Sequence, residues 1–245
     1  MNIIERYDRD ILYYEFQELK KISFVNHLFS SKIGWNSENI IENISKIFNV
    51  SKSNVLYLTQ IHSNHIEIID EKTLNYGKIL GKEGDGLITD LSNIVLMTYH
   101  ADCVPIYFLD KEKRVVGLAH GGWRGSFENI SGNMIRTFIE KFNSNPKDIL
   151  VAIGPSIGPC CYEISKELGD KFIKKYNDFQ DILIKRDSSI YLDLWKLNYL
   201  QVRKMGILDE NIISSNACTS CNIDKFYSYR KEATQDRMVA AISLS

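Results

Sequence analysis

Three residues far apart in the chain, His62, Cys103 and His120, are of the types that bind a transition metal. Two imidazoles and a thiolate suit Zn²⁺, and three protein ligands leave the fourth position for water. Water held there loses its proton near neutral pH and becomes a nucleophile. The spacing matches no local zinc pattern, so each residue also reads as a polar group at a strand end. Asp102 is a candidate to orient a ligand imidazole, a partner that metal-bound His usually needs. His62 and His65 would face opposite sides of an extended chain, which argues against their ligating together.

Other segments pair small residues with charge or sulfur. His120-Gly121-Gly122-Trp123-Arg124-Gly125-Ser126 reads as a strand-to-helix junction. Its glycines permit close backbone approach, and the helix N-terminus with Arg124 favours an anion such as phosphate. A tight turn with a surface Arg fits the same residues. The loop from Gly154 to Pro159 either walls a pocket or reverses the chain. Cys218-Thr219-Ser220-Cys221 has the spacing of a zinc half-site or a redox pair, with Cys160-Cys161 as the conceivable other half. Adjacent Cys in an extended segment point apart, so the expectation is reduced, buried or pocket-lining thiols rather than a four-thiolate site. Arg230 and Arg237 either clamp a substrate or pair with surface acids.

The elements that must position these groups follow from periodicity. Ser37 is expected to cap a helix with Ile40, Ile41, Ile44, Ile47 and Phe48 on one face. Ser126 is expected to open another, with Ile130, Met134, Ile135, Phe138, Ile139 and Phe142 inward. Further helices are expected at 165–176 and 194–205. Strands are expected at 55–61, 65–69, 94–98, 104–109, 114–119, 149–153, 226–229 and 238–244. Such interspersion predicts a single-domain α+β (mixed α/β) fold, residues 1–245, with mixed β-sheets covered by helices.

Composition bounds the function. The chain has 245 residues and a formal net charge of −1, which gives no general electrostatic reason to bind nucleic acid or anionic membrane. Acids at Glu5, Asp8, Asp10, Glu15 and Glu18 interrupt any secretory signal, and no apolar run approaches a membrane span. A cytoplasmic location with reduced thiols is expected. Five His residues are too few for a multicopper cluster with its trinuclear centre.

Taken together, the motifs resemble the YfiH or laccase-domain family, once described as multicopper polyphenol oxidases and now regarded as purine nucleoside phosphorylases. The resemblance rests on Gln60-Ile61-His62, Gly84-Asp85-Gly86-Leu87, Ala101-Asp102-Cys103-Val104-Pro105 and the His120–Gly125 run. Ile153–Gly158, Cys160-Cys161-Tyr162-Glu163, Phe226–Arg230 and Arg237-Met238 extend it over nearly the whole chain. It implies a YfiH-like fold, similar to that of certain toxin deamidases. It implies zinc at His62, Cys103 and His120, with copper the alternative ion. It implies phosphorolysis of purine nucleosides, methylthioadenosine included, and deamination of adenosine. Asp102 is then expected to move protons, and Arg124 and Arg230 to hold phosphate. The partners would be purine nucleosides and phosphate, and the protein a monomer or homodimer. Gly121 replaces a usual Ala, Lys32 a usual Arg, and Gln235-Asp236 alters the turn before Arg237.

Two other readings use the same residues. In one, Cys103 is the nucleophile of a hydrolase with His120 as its base. In the other, the protein binds zinc without catalysis, which a fourth ligand such as His100 or Cys221 would favour.

Overall fold

The computed structural model describes residues 2–74, 79, 81–179 and 181–245. The first elements are Ile3–Asp8 (β1), Ile11–Phe16 (β2), Gln17–Lys20 (α1), Val25–Ser30 (β3) and Ile40–Phe48 (α2). Short strands Val55–Leu56 (β4), Ile66–Ile69 (β5) and Gly86–Thr89 (β6) lead to longer ones at Val95–His100 (β7), Val104–Asp110 (β8) and Val115–Gly121 (β9). Helices Trp123–Phe127 (α3) and Ile130–Phe142 (α4) precede Ile149–Ile153 (β10), Glu163–Ile164 (β11) and Lys166–Lys175 (α5). Then come Leu183–Arg186 (β12), Ser189–Leu192 (β13), Leu194–Lys204 (α6), Ile212–Ser214 (β14), Tyr229–Glu232 (α7) and Met238–Leu244 (β15).

Two mixed sheets result, in the orders β1-β2-β3-β15-β7-β4 and β14-β10-β8-β9-β6-β5, with a small third sheet β11-β13-β12. The two large sheets pack face to face. Tyr107 and Leu109 of β8 share a core with Phe16, Phe29, Leu96 and Ile242 of the first sheet. The alternate residues Ile106 and Phe108 face the other way, onto Met134 and Phe138 of α4. On the far side, Ile40, Ile44 and Phe48 of α2 cover Val95, Met97 and Val239. The layers therefore run helix, sheet, sheet, helix. Strands buried on both faces must be apolar throughout, which is why β8, β9, β10 and β15 stand out as unbroken runs. A slip of one residue in β8 would exchange its two packed faces, so the register is tightly specified.

The expected α+β class with mixed sheets and covering helices is what the structure shows. Several boundaries differ. Asn39, not Ser37, is the N-cap of α2. Ser126 lies inside α3, a helix of five residues, and Asn129 opens α4 by accepting from the Gly132 N–H. The strand expected over 55–61 stops at Leu56, and beyond it Thr59 pairs with the 82–84 segment instead of β7. The segment 226–229 is not a strand: the Ser228 hydroxyl donates to Asp102 at 3.1 Å, and a tertiary contact overrides the local β preference. Among the described residues, no helix is long and apolar enough to cross a membrane.

His27 of β3 is one buried polar group that the fold holds in a single state. Its Nε2 accepts the Phe16 N–H at 2.7 Å, between the two large sheets. Burial pulls its pKa down to about 4, against an opposing pull from Glu15. The unfolded chain takes up a proton near pH 6.5, and the folded chain does so only near pH 4. Stability is therefore full above about pH 6.5 and falls as pH drops through that window, by about 3 kcal/mol from this group. Denaturant titrations from pH 7 to 4 should show that loss, and His27→Gln, which keeps an acceptor without the titration, should flatten it.

Candidate metal centre and its cleft

The carboxylate of Asp85 organises the site. It is 1% exposed, immediately before β6. Its Oδ1 bonds the Nδ1 of His120 at 2.8 Å and accepts the His62 N–H at 3.1 Å. Its Oδ2 accepts the Ser63 N–H at 2.6 Å, the Ser63 hydroxyl at 2.8 Å and the Ile61 N–H at 3.3 Å. One side chain thus fixes the ring of one ligand and the backbone that carries another. Gln60 completes the anchor: its amide exchanges hydrogen bonds with the backbone of Tyr99 at 2.9 and 2.6 Å, like an added strand residue. His62 then takes a left-handed φ of 60°, and Asp102, next to Cys103, one of 82°. Backbone conformations that L-residues rarely adopt concentrate at sites the surrounding fold enforces.

These bends bring His62, Cys103 and His120 together, with one ligand atom from each within 4.8 Å of the others. Cys103 Sγ is 3.9 Å from His62 Nε2. The Asp85 bond occupies Nδ1 of His120 and leaves Nε2 facing the cluster. Gly122 is required here: a Cβ would come within 2.7 Å of the His62 ring and 3.2 Å of Cys103 Sγ. Two nitrogens and a sulfur at these separations fit one tetrahedral ion of the zinc type, and the aligned imidazole has the carboxylate partner that such ligands need.

The electrostatics point the same way. Burial alone would raise the Cys103 thiol, but the charge of His120 and hydrogen bonds from His120 and His62 bring it down to about 6. Burial alone would lower His120, but the Cys103 charge and the bond to Asp85 raise it to about 9. The pair is therefore a thiolate beside an imidazolium, ready to exchange that proton for a metal.

Two clefts meet at the triad. One, of about 270 Å³, is lined by Trp123, Arg124, Ile157, Tyr162 and Arg230 together with His62 and Cys103. The other, of about 680 Å³, lies toward Tyr57, Gln60, Tyr99 and Arg237. Arg124 stacks on the Trp123 ring at 4.7 Å, and Arg230 on the Tyr162 ring at 5.0 Å. Two guanidiniums thus enter one cleft with aromatic faces beside them. A further cleft near α5, including Ile173 and Ile190, lies away from all of these groups.

The structure corrects several expectations. Asp102 does not orient an imidazole; Asp85 does. Asp102 instead accepts from the Thr219 hydroxyl at 2.6 Å, the Ser228 hydroxyl at 3.1 Å and the Arg230 N–H at 2.7 Å. It braces three loops around the cleft. His65 stays outside the triad, as expected, but because the chain bends at His62 and not through strand alternation; it faces Glu67 at 3.9 Å. His100 is no fourth ligand: its nitrogens bond the Cys103 carbonyl at 3.0 Å and the Thr98 hydroxyl at 2.7 Å. Cys221 belongs to a separate group with Cys160, Cys161 and Cys218, which the extended-chain reading had set apart. Arg237 donates to the carbonyls of Thr234 and Asp236 and forms no clamp with Arg230. The single-turn α3 offers little dipole, so Arg124 carries the local positive charge. The role of Asp85 was not foreseen, although its glycine-flanked motif was visible.

The chain belongs to the family described as multi-copper polyphenol oxidoreductase laccase, whose model matches residues 24–245. It is 34% identical over 226 residues to a purine nucleoside phosphorylase of Borreliella burgdorferi, covering 90% of this chain and 91% of that protein. A purine nucleoside phosphorylase of Clostridium acetobutylicum is 34% identical over 234 residues, covering 89% and 91%. The solved structure of YlmD from Geobacillus stearothermophilus superposes with a TM-score of 0.85 at 27% identity, over 100% of this chain and 99% of that one.

Asp85→Asn should keep the fold but misalign His120. Its affinity for zinc should fall by roughly 10- to 100-fold, read by competition with a chromophoric chelator.

Proposed function

We propose that this protein is a purine nucleoside phosphorylase that works with zinc at His62, Cys103 and His120. The observation that carries this reading is the meeting of an open three-ligand centre and two guanidiniums in one cleft. Near-full-length relatives named purine nucleoside phosphorylase support it. When bound, zinc supplies a Lewis acid with a free coordination position.

The chain's own residues do the positioning. Arg124 and Arg230 hold phosphate by charge-assisted bonds, which a planar guanidinium makes in pairs. The rings of Trp123 and Tyr162 fix the two guanidiniums and present apolar faces to a flat base. Asp102, through its bonds to Thr219, Ser228 and Arg230, holds the loop that brings Arg230 to the cleft. Tyr229 lines both clefts, so a nucleoside spanning them would pass it. Phosphorolysis then needs phosphate at C1′ on the side opposite the leaving purine, which in-cleft positioning provides. Methylthioadenosine, whose apolar 5′ group suits the Tyr57 and Tyr99 side, belongs to the same proposal. Adenosine deamination in the same cleft is the further activity proposed.

One observation favours a second reading. Without metal, His120 beside Cys103 favours the thiolate and Cys103 favours the imidazolium, the mutual activation a cysteine hydrolase uses. Metal dependence separates the two. Under the phosphorylase reading, chelation abolishes turnover of adenosine with phosphate, and added zinc restores it. Under the hydrolase reading, chelated protein stays active on acyl or amide substrates until Cys103 is alkylated. Alkylation of the stripped protein should be half-maximal near pH 6 in either case, because that is a property of the pair. Arg230→Gln should lower kcat/KM for phosphate by roughly 10- to 100-fold, the worth of one charged hydrogen bond, with little change in KM for the nucleoside.

A further inference from the structure

Cys160, Cys161, Cys218 and Cys221 form a second group of sulfurs, outside the catalytic cleft. All four Sγ atoms lie within 4.8 Å of one another. Cys221 Sγ is 3.5 Å from that of Cys160 and 3.4 Å from that of Cys161. A zinc ion with four thiolates at about 2.3 Å has tetrahedral edges of about 3.8 Å, close to these separations. A disulfide would need about 2.05 Å. A multi-iron cluster would spread the four thiolates farther apart, singly over four irons or in pairs over two.

The local backbone explains how neighbours in sequence converge. The chain turns at Pro159–Cys161, with the N–H groups of Cys161 and Tyr162 both donating to the Gly158 carbonyl, at 3.0 and 3.1 Å. A turn rotates successive side chains by much less than the half-turn of a strand, so Cys160 and Cys161 share a side. Cys218-Thr219-Ser220-Cys221 forms the facing turn, paired to Ser156 through a β-bridge at Cys218. The Gly158 N–H donates to Cys218 Sγ at 3.2 Å, the type of bond that steadies a thiolate. A Cβ on Gly158 would come within 3.2 Å of Cys160 Sγ and 2.8 Å of the Trp195 ring. Cys160 and Cys221 are exposed, so an ion has a route in.

We propose that these four cysteines bind one structural zinc ion, in addition to the metal of the catalytic centre. Four protein ligands close the coordination shell and leave no position for substrate. Such an ion would staple the 154–163 loop to the 217–222 segment. Both border the cleft: Ile157 and Tyr162 line it, and Thr219, between the two cysteines, donates to Asp102 at 2.6 Å. The staple would therefore hold one wall of the catalytic cleft. Loading releases the thiol protons, since each ligand binds as thiolate.

The test reads metal, not turnover, so it stands apart from the phosphorylase reading. His62→Ala/His120→Ala protein, purified without added metal, should still carry about one zinc per chain by elemental analysis. Adding Cys160→Ser and Cys221→Ser should remove it. Because those changes could unfold the chain, cobalt is also loaded into the His62→Ala/His120→Ala protein with all cysteines intact. Intense sulfur-to-cobalt charge-transfer bands with four-coordinate ligand-field bands are the expected spectrum. Iron in place of zinc, disulfides among these cysteines by mass spectrometry, or a cysteine-intact protein with no metal and no such cobalt spectrum overturns the proposal.

Discussion

The site depends on one buried carboxylate. Asp85 accepts four hydrogen bonds from the Ile61–Ser63 turn and bonds His120 through the same pair of oxygens. Burial opposes its charge, yet His120 and Ser63 hold its pKa below the usual carboxylate range. A buried anion is tolerable only when so fully engaged. The result couples two candidate metal ligands that lie 58 positions apart in the chain, His62 and His120. Neither can move without breaking bonds to the same side chain.

The layered fold supplies the rigid ground for this. The turn between β7 and β8 brings Cys103, and the end of β9 brings His120, so two adjoining strand ends meet. Both strands are packed on two faces, which leaves little freedom for their ends. The loop after β10 and the segment between β14 and β15 then close the cleft from the other side, the first donating the Ile157 N–H to the Asp102 carbonyl and the second donating from Thr219, Ser228 and Arg230 to its carboxylate. The candidate site therefore sits on loops whose stems are core strands.

Much of this was legible in the sequence, for identifiable reasons. The strands β8, β10 and β15 announce themselves because burial on both faces demands unbroken apolar runs. The strands β1 to β3 do not, because β1 is an exposed edge carrying Glu5, Arg6 and Asp8 and hides the pattern. The candidate triad could be named by residue type and by family resemblance, but not by distance, since its members meet only through long-range pairing. Asp85 escaped because an acid between two glycines reads as a turn until His120 is placed beside it. The convergence of the four cysteines is hidden because adjacent Cys in an extended chain point apart, whereas this chain turns at Pro159–Cys161.

The most direct test is to incubate the protein, purified with its native metal, with adenosine in the presence and absence of phosphate, and to follow the products by chromatography. A zinc-dependent phosphorylase predicts release of adenine and ribose 1-phosphate only when phosphate is present, with loss of both in His62→Ala. Adenine release that is independent of phosphate, or unchanged turnover in His62→Ala, would contradict it.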